Sequence, residues 1–279
     1  MTEEEENLIN EDLEVELVLE ALLKKSDFDY RNYSRSHIKR RLNHRLAIEG
    51  YSKYSELIPQ IIYNKTLLGK LLSDLSINVT EMFRDPSFFK ELKKRVFPYI
   101  ETYPFVRIWH AGCSSGQEVY SMAILLKEYG LYEKSQLYAT DFNNDILEAA
   151  KNAIYPVDYI KKYTANYQQA GGENSFSDYY LAGYDSASIT PTLKKNILFS
   201  FHNLVTDGIF GEMHIIMCRN VLIYFDKELQ AKVLKLFAES LVPGGFLCLG
   251  SKESIRYSGV ENMFDVVSTD EKIFRKRVL

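Results

Sequence analysis

The sequence predicts an α/β protein: an open, mainly parallel sheet covered by helices, preceded by a small all-helical domain and interrupted by a small inserted β subdomain. Three observations carry this expectation. From Val106 onward, short apolar runs alternate with amphipathic helical stretches, the pattern of consecutive βαβ units. Residues 8–75 show helical spacing and no strand pattern. The stretch Val106-Arg-Ile-Trp-His-Ala-Gly-Cys-Ser-Ser-Gly-Gln-Glu118 passes from an apolar strand through small residues into a helix, the local plan of a nucleotide-binding turn. The expected divisions are a helical domain over 1–76, a linker and connecting helix over 77–99, and a sheet domain over 100–279 with its insert at about 160–196.

Each element has its own signal. Leu13, Val15, Leu17, Val18 and Leu22 mark a first helix. Ile38, Leu42 and Leu46 recur every four residues, an amphipathic stripe that Gly50 closes. Further helices cover 54–62 and 65–75. Pro86 suits a first helical position with Asp85 as its cap, so a helix is expected over 86–99. Then come strand 106–109, helix 117–128, strand 136–140 and helix 144–153. Residues 155–196 break the alternation. They are rich in Tyr, Asn, Gln, Gly and Ser, with Gly171-Gly172 as a flexible turn, and 179–181 is expected to pair antiparallel with 187–190 across Gly183-Tyr-Asp185. Strands 197–201 and 213–217, helix 227–241 and strand 246–249 follow, and 264–267 with 272–275 forms a closing hairpin. A parallel sheet finished by a reversed pair is the plan of the class I, Rossmann-like methyltransferases.

Composition excludes several classes. A net charge of −4 over 279 residues argues against a general nucleic-acid binder. Cys113, Cys218 and Cys248 sit in or beside apolar runs without CxxC spacing, and the five histidines are scattered, so neither disulfides nor a metal site is expected. The start, Thr2-Glu-Glu-Glu-Glu6, is unlike a signal peptide, and no apolar run approaches the roughly 18 residues of a membrane span. A cytoplasmic location without membrane insertion is the expectation.

The chemistry begins at the strand ends. Gly112, Ser114, Ser115 and Gly116 line the turn, Glu118 opens the next helix, and Asp141 ends the second strand where a carboxylate can accept from ribose hydroxyls. Taken alone, these residues serve equally well as a tight turn and a helix cap. The stretch Met217-Cys-Arg-Asn-Val-Leu-Ile-Tyr-Phe-Asp226 shifts the balance, because a buried strand delivers Arg219-Asn220 to the same edge. The competing reading of Arg219 is a buried arginine–carboxylate pair that only holds the loop.

These segments, in order, resemble a family. Asn78-Val-Thr-Glu-Met-Phe-Arg84, Trp109 to Ser121, Ala139-Thr-Asp141, His202-Asn-Leu204, Cys218 to Asp226, Pro243-Gly-Gly-Phe-Leu and Gly250-Ser-Lys-Glu-Ser254 closely resemble the CheR chemoreceptor methyltransferases over about Asp27 to Arg275. The resemblance implies methyl transfer from S-adenosylmethionine to receptor glutamates, with S-adenosylhomocysteine as product. It implies that Asn78, Thr80 and Arg84 reach over the cofactor, and that Glu118 and Asp141 bind its amino-acid portion and ribose. Asn203 and Leu204 would border the adenine, Arg219 and Asn220 the methionine, with Gly112 in the turn. Arg84 and Tyr224 would then serve catalysis by holding and orienting the incoming carboxylate. Two alternatives are a cofactor-binding or recruitment module without turnover, and a methyltransferase for another protein.

The partner expected is the acidic cytoplasmic helical bundle of a chemoreceptor, and the surface expected to meet it is basic: Arg31, Arg35, Lys39, Arg40, Arg41 and Arg45 against the single acid Glu49. Family members that tether to a receptor's C-terminal pentapeptide carry a longer glycine-bearing loop than Gly183-Tyr-Asp185, so no pentapeptide tether is expected. Residues 163–177 suggest no role by themselves.

Overall fold

The computed structural model describes residues 2–26, 28–76 and 80–278, and among them no helix is long and apolar enough to cross a membrane. Chain contacts divide it into two units: Met1–Ile77 with Ile223–Leu229, and Asn78–Leu222 with Gln230–Leu279.

The first unit is helical: α1 (Glu3–Ser26), α2 (Arg35–Glu49), α3 (Leu57–Tyr63) and α4 (Lys65–Leu75). In α1 the buried stripe is Val15, Val18, Leu19 and Leu22, while Leu13 and Leu17, expected to belong to it, are about half exposed at 53% and 48%. Ile38, Leu42 and Leu46 are buried in α2 as their spacing requires, and Gly50, left-handed at φ 75°, donates its N–H to the Leu46 carbonyl to end that helix. The segment 223–229 joins this unit through its backbone. The Ser34 N–H donates to the Tyr224 carbonyl at 2.8 Å, the Asp226 N–H to Asn32 at 3.0 Å, and Tyr33 bridges Phe225.

The second unit opens with α5 (Pro86–Arg95) and α6 (Phe97–Ile100). The single helix expected over 86–99 divides at Val96 because Pro98 has no N–H to continue the ladder. Then follow β1 (Val106–Ala111), α7 (Gln117–Glu128), β2 (Ser135–Asp141), α8 (Asn144–Asn152), β3 (Ile154–Pro156), α9 (Val157–Gln169), β4 (Tyr180–Ala182) and β5 (Ser186–Ile189). The unit ends with β6 (Ile197–Phe201), β7 (Met213–Cys218), α10 (Lys227–Ser240), whose first residues belong to the other unit, β8 (Leu241–Leu249), β9 (Phe264–Ser268) and β10 (Ile273–Lys276).

Seven strands form one sheet in the order β6-β2-β1-β7-β8-β10-β9, with β6 to β8 mutually parallel and β10 antiparallel to both β8 and β9. This is the doubly wound sheet with the reversed terminal pair that the sequence predicts. Its order reverses between β1 and β7, and at such a switch point the crevice lies beyond the carboxyl ends of the strands. A small antiparallel sheet, β3-β5-β4, forms the insert, with β4 and β5 antiparallel as expected and Tyr180 opposite Ile189.

The insert also holds what the sequence reading passed over as irregular. Residues 157–169 are a regular helix whose buried side is Tyr163 and Tyr167, an aromatic stripe in place of the usual leucines. Its role is to hold the linker. Asn166 Nδ2 donates to the Met82 carbonyl at 3.0 Å, Lys162 pairs with Glu81, and the Tyr167 ring meets Phe83 edge-on at 5.3 Å. The Phe83 N–H in turn donates to Ser121 Oγ of α7 at 2.9 Å. The linker residues Glu81 to Phe83 are thus fastened to the sheet unit.

Candidate cofactor crevice at the sheet switch point

The residues that end β1, β2, β6 and β7 meet along one edge of the sheet. Beyond β1 the Gly112 and Cys113 N–H groups both donate to the Thr140 carbonyl of β2 at 2.9 Å, which pulls the turn tight against its neighbour. Gly112 has φ 75°, and a Cβ there would stand 2.6 Å from Val221 Cγ2, so the turn and the loop after β7 approach as closely as a bare backbone allows. Gly112→Ala is therefore expected to cost about 2 kcal/mol from overpacking and the left-handed backbone together, read as a lower melting temperature.

Ser114, which stands where a nucleotide loop usually has glycine, adopts a glycine-like φ of 50°. Its N–H donates to Asp141 Oδ2 at 3.0 Å, and its buried Oγ has no partner among the described residues. Asp141 also accepts the Asn143 N–H at 3.1 Å. Burial pushes this carboxyl above its ordinary 3.8, although the N–H groups of Asn143, Ser114 and Phe142 pull against the rise. An ionised carboxylate has about four lone-pair sites, so Asp141 keeps acceptor capacity for a ligand hydroxyl. Burial pushes the neighbouring Cys113 thiol well up, so it stays protonated and is not a nucleophile.

Beyond β7, Arg219 is the centre of a charge cluster. Its side chain is only 2% exposed. Nη1 donates to Glu118 Oε2 at 3.1 Å and to the Arg84 carbonyl at 3.3 Å, Nη2 donates to Asp85 Oδ2 at 2.8 Å, and the guanidinium lies 4.0 Å over the Phe88 ring. Two expectations change here. Asp85 does not cap α5: it is left-handed at φ 56°, makes no side-chain cap bond, and turns its carboxylate to the buried guanidinium instead. Arg219 is engaged with carboxylates, so it holds the linker to α7, and its buried Nε is what remains without a partner among the described residues. Glu118 also meets His110 Nδ1 at 3.1 Å. Burial alone would raise Glu118, but the His110 contact and the Arg219 charge outweigh it and hold the carboxyl below its ordinary 4.5.

Asn220 is left-handed at φ 62°, and its N–H donates to Glu253 Oε2 at 3.1 Å. Glu253 is buried and also accepts the N–H groups of Val221 at 2.9 Å and Gly250 at 2.6 Å. Gly250 is obligatory in this knot, since a Cβ would stand 2.9 Å from the Asn220 nitrogen. Sequence reasoning missed His110, Asp85 and Glu253 as site residues. The only signal was that all three lie in or beside the stretches singled out.

The other expected residues fall as follows. Thr80 and Arg84 are half-buried in the linker, and Asn78 lies outside the described residues. Beyond β6, Asn203 folds on itself, its Oδ1 accepting the Val205 N–H at 3.0 Å. Leu204 lines a cavity of about 260 Å³ with Ile209, Lys232 and Leu236. Tyr224 belongs to the first unit, where its ring meets His37 edge-on at 5.2 Å.

The basic stripe of the first unit is largely occupied. Arg31 pairs with Asp29 at 2.8 Å and Glu20 at 3.5 Å, Arg35 with Glu16 at 3.1 Å, and Lys39 with Asp12 at 2.9 Å and Glu11 at 3.4 Å. Arg45 is buried against Asp74 at 2.7 Å and Glu49 at 3.1 Å, so it is a structural residue and not an exposed contact. Arg40 is exposed, 3.2 Å from His37 Nδ1, and Arg41 is half-buried.

Comparison with known proteins identifies the family. The model of the CheR methyltransferase SAM-binding domain matches residues 78–273, and that of the CheR all-alpha domain matches 13–76. The chain is 44% identical to a Pseudomonas putida protein provisionally named methyltransferase Cher3, over 96% of this chain and 98% of that one. It is 31% identical to the chemotaxis protein methyltransferase of Listeria monocytogenes, covering 80% and 83% of the two chains. With that of Vibrio anguillarum the identity is 30%, over 90% and 97%.

Proposed function

The chain belongs to the CheR family of S-adenosylmethionine-dependent methyltransferases, and from that premise we propose that it esterifies glutamate side chains on the cytoplasmic helical bundle of chemoreceptors. The single observation that carries this reading is the crevice edge itself. The buried Arg219 ties the linker at Arg84 and Asp85 to Glu118, beside a carboxylate with acceptor capacity and a buried Ser114 hydroxyl without a partner among the described residues. When bound, S-adenosylmethionine supplies a methyl group activated on a sulfonium. A glutamate carboxylate is already ionised near neutral pH, so the acceptor needs no general base. The protein's share is then to align the two and exclude water.

In this reading Asp141 accepts from the ribose hydroxyls, while Glu118 and Asn220 border the amino-acid portion. Gly112 and Ser114 form the floor, Asn203 and Leu204 flank the base, and Thr80 closes over the top. Arg84 holds the incoming carboxylate. Arg219 acts through Glu118 and Asp85, as a positioning residue. The test is direct. Purified protein with methyl-labelled S-adenosylmethionine is expected to put base-labile label on a chemoreceptor cytoplasmic fragment, and absence of label, or label stable to base, overturns the reading.

The receptor-facing surface is proposed to centre on Arg40 and Arg41. The carboxylates that Arg31, Arg35 and Lys39 meet on α1 are exposed and such surface pairs are weak, so a partner's carboxylates can exchange with them. Arg40→Glu is expected to raise the KM for the receptor fragment about five-fold at low salt and less at high salt, with kcat unchanged. With a turn as short as Gly183-Tyr-Asp185, no pentapeptide tether is proposed.

A further inference from the structure

We infer that the loop leaving β8, residues 250–260, is a docking element for the acidic helix that carries the accepting glutamate. The inference rests on the function proposed above. The loop leaves the carboxyl end of β8, the neighbour of β7, and its root is held at the crevice edge. Glu253 binds the Gly250 N–H and the N–H groups of Asn220 and Val221 with one carboxylate. Whatever approaches an acceptor position beside Asn220 from this side meets the loop.

Residues 250–260 carry a formal charge of +1, Lys252 and Arg256 against Glu253, and although the adjoining Glu261 brings this to zero, the outward face is positive. Both acids are turned onto backbone N–H groups, Glu253 as above and Glu261 onto Ser258 at 3.0 Å. The backbone hydrogen bonds around Glu261 hold it below its ordinary value, so it stays ionised while serving the turn. Lys252 and Arg256 are exposed and form no ion pair among the described residues. Between buried Ile255 and buried Val260 stands Tyr257, fully exposed at 98% and left-handed at φ 62°. A bulky aromatic in that backbone region is a strained arrangement, and here no buried ring contact compensates for it. Tyr and Arg on a pre-shaped loop are the residue types that anchor interfaces, because a rigid ring and a fork of donors lose little freedom on binding. Two exposed cations and an aromatic beside the reaction edge fit a glutamate-bearing helix by charge and by shape.

The test compares wild type, the charge-reversed pair Lys252→Glu with Arg256→Glu, Tyr257→Ala, and the charge-preserving pair Lys252→Arg with Arg256→Lys. Each is assayed for methyl transfer to a chemoreceptor cytoplasmic fragment and for S-adenosylhomocysteine binding by calorimetry. The charge-reversed pair is expected to raise KM about ten-fold or more with kcat, cofactor Kd and melting temperature unchanged, and to lose most of the salt dependence of KM. Tyr257→Ala is expected to raise KM alone, and the charge-preserving pair to behave as wild type. Unchanged KM in both the charge-reversed pair and Tyr257→Ala overturns the docking role while leaving the enzyme's function standing. Absence of base-labile label with wild type overturns the function and the docking role together.

Discussion

Arg219→Ala is expected to destabilise the protein by about 3 kcal/mol and to abolish measurable methyl transfer. Removing one partner of a buried charge cluster costs about 3–5 kcal/mol because the remaining charges stay desolvated without compensation. The lower end applies here, since Asp85 is 40% exposed and can recover some hydration, whereas Glu118 is 18% exposed. For a unit of this size the loss corresponds to a fall in melting temperature of roughly 6–12 °C. Glu118 also shifts the acid limb. Its lowered carboxyl contributes stability that is complete above the ordinary 4.5 and is lost as pH falls through the lowered value. Without Arg219 the carboxyl moves up, so acid unfolding of the variant starts at a higher pH. Arg219→Met combined with Glu118→Gln is expected to regain much of the stability, by replacing charges with matched neutral groups, yet to remain inactive. Full activity in that double variant would exclude a positioning role for the cluster.

Asp141→Ala is expected to raise the Kd for S-adenosylhomocysteine at least about 100-fold by calorimetry, since two hydrogen bonds to a charged acceptor are worth roughly 1.5–3 kcal/mol each. The pH dependence separates this role from loop packing. Ribose hydroxyls donate to the ionised form, so affinity is present when Asp141 is ionised and is lost as pH falls through its raised value. Wild-type affinity thus starts to decline at a higher pH than a solvent-exposed aspartate would dictate, and Asp141→Asn flattens that part of the profile. In the ligand-free protein the sign is opposite. A raised carboxyl contributes stability below its unfolded value and loses it as pH rises through the folded one, because ionising a buried group is costly. A ligand-free protein whose stability does not register Asp141→Asn across that range would contradict the burial argument.

The sheet was legible because strands such as β1 and β7 are buried on both faces and read as plain apolar runs, and the switch point follows from their order. What escaped was written in unusual letters. The buried side of α9 is tyrosine, so an aromatic stripe at helical spacing reads as polar irregularity. The Asp85-Pro86 pair has the residues of a helix cap, and only a guanidinium arriving from 134 residues away redirects the aspartate. The basic run after residue 30 reads as an open face because most of the carboxylates that meet Arg31, Arg35 and Lys39 lie on another helix, 11 to 28 residues earlier. Local spacing reports which face of an element is apolar. It does not report which charge will arrive from a distant segment.

The backbone bridge between residues 32–34 and 224–226 constrains the timing of synthesis. Ile223 leaves the ribosome 146 residues (223 − 77) after the last residue of Met1–Ile77. At about 5–20 residues per second, the helices wait on the order of ten seconds for their final piece. A nascent chain stopped before that point holds four helices with the backbone groups of Asn32 and Ser34 still in water, and protease sensitivity near residue 33 should persist until the segment has emerged.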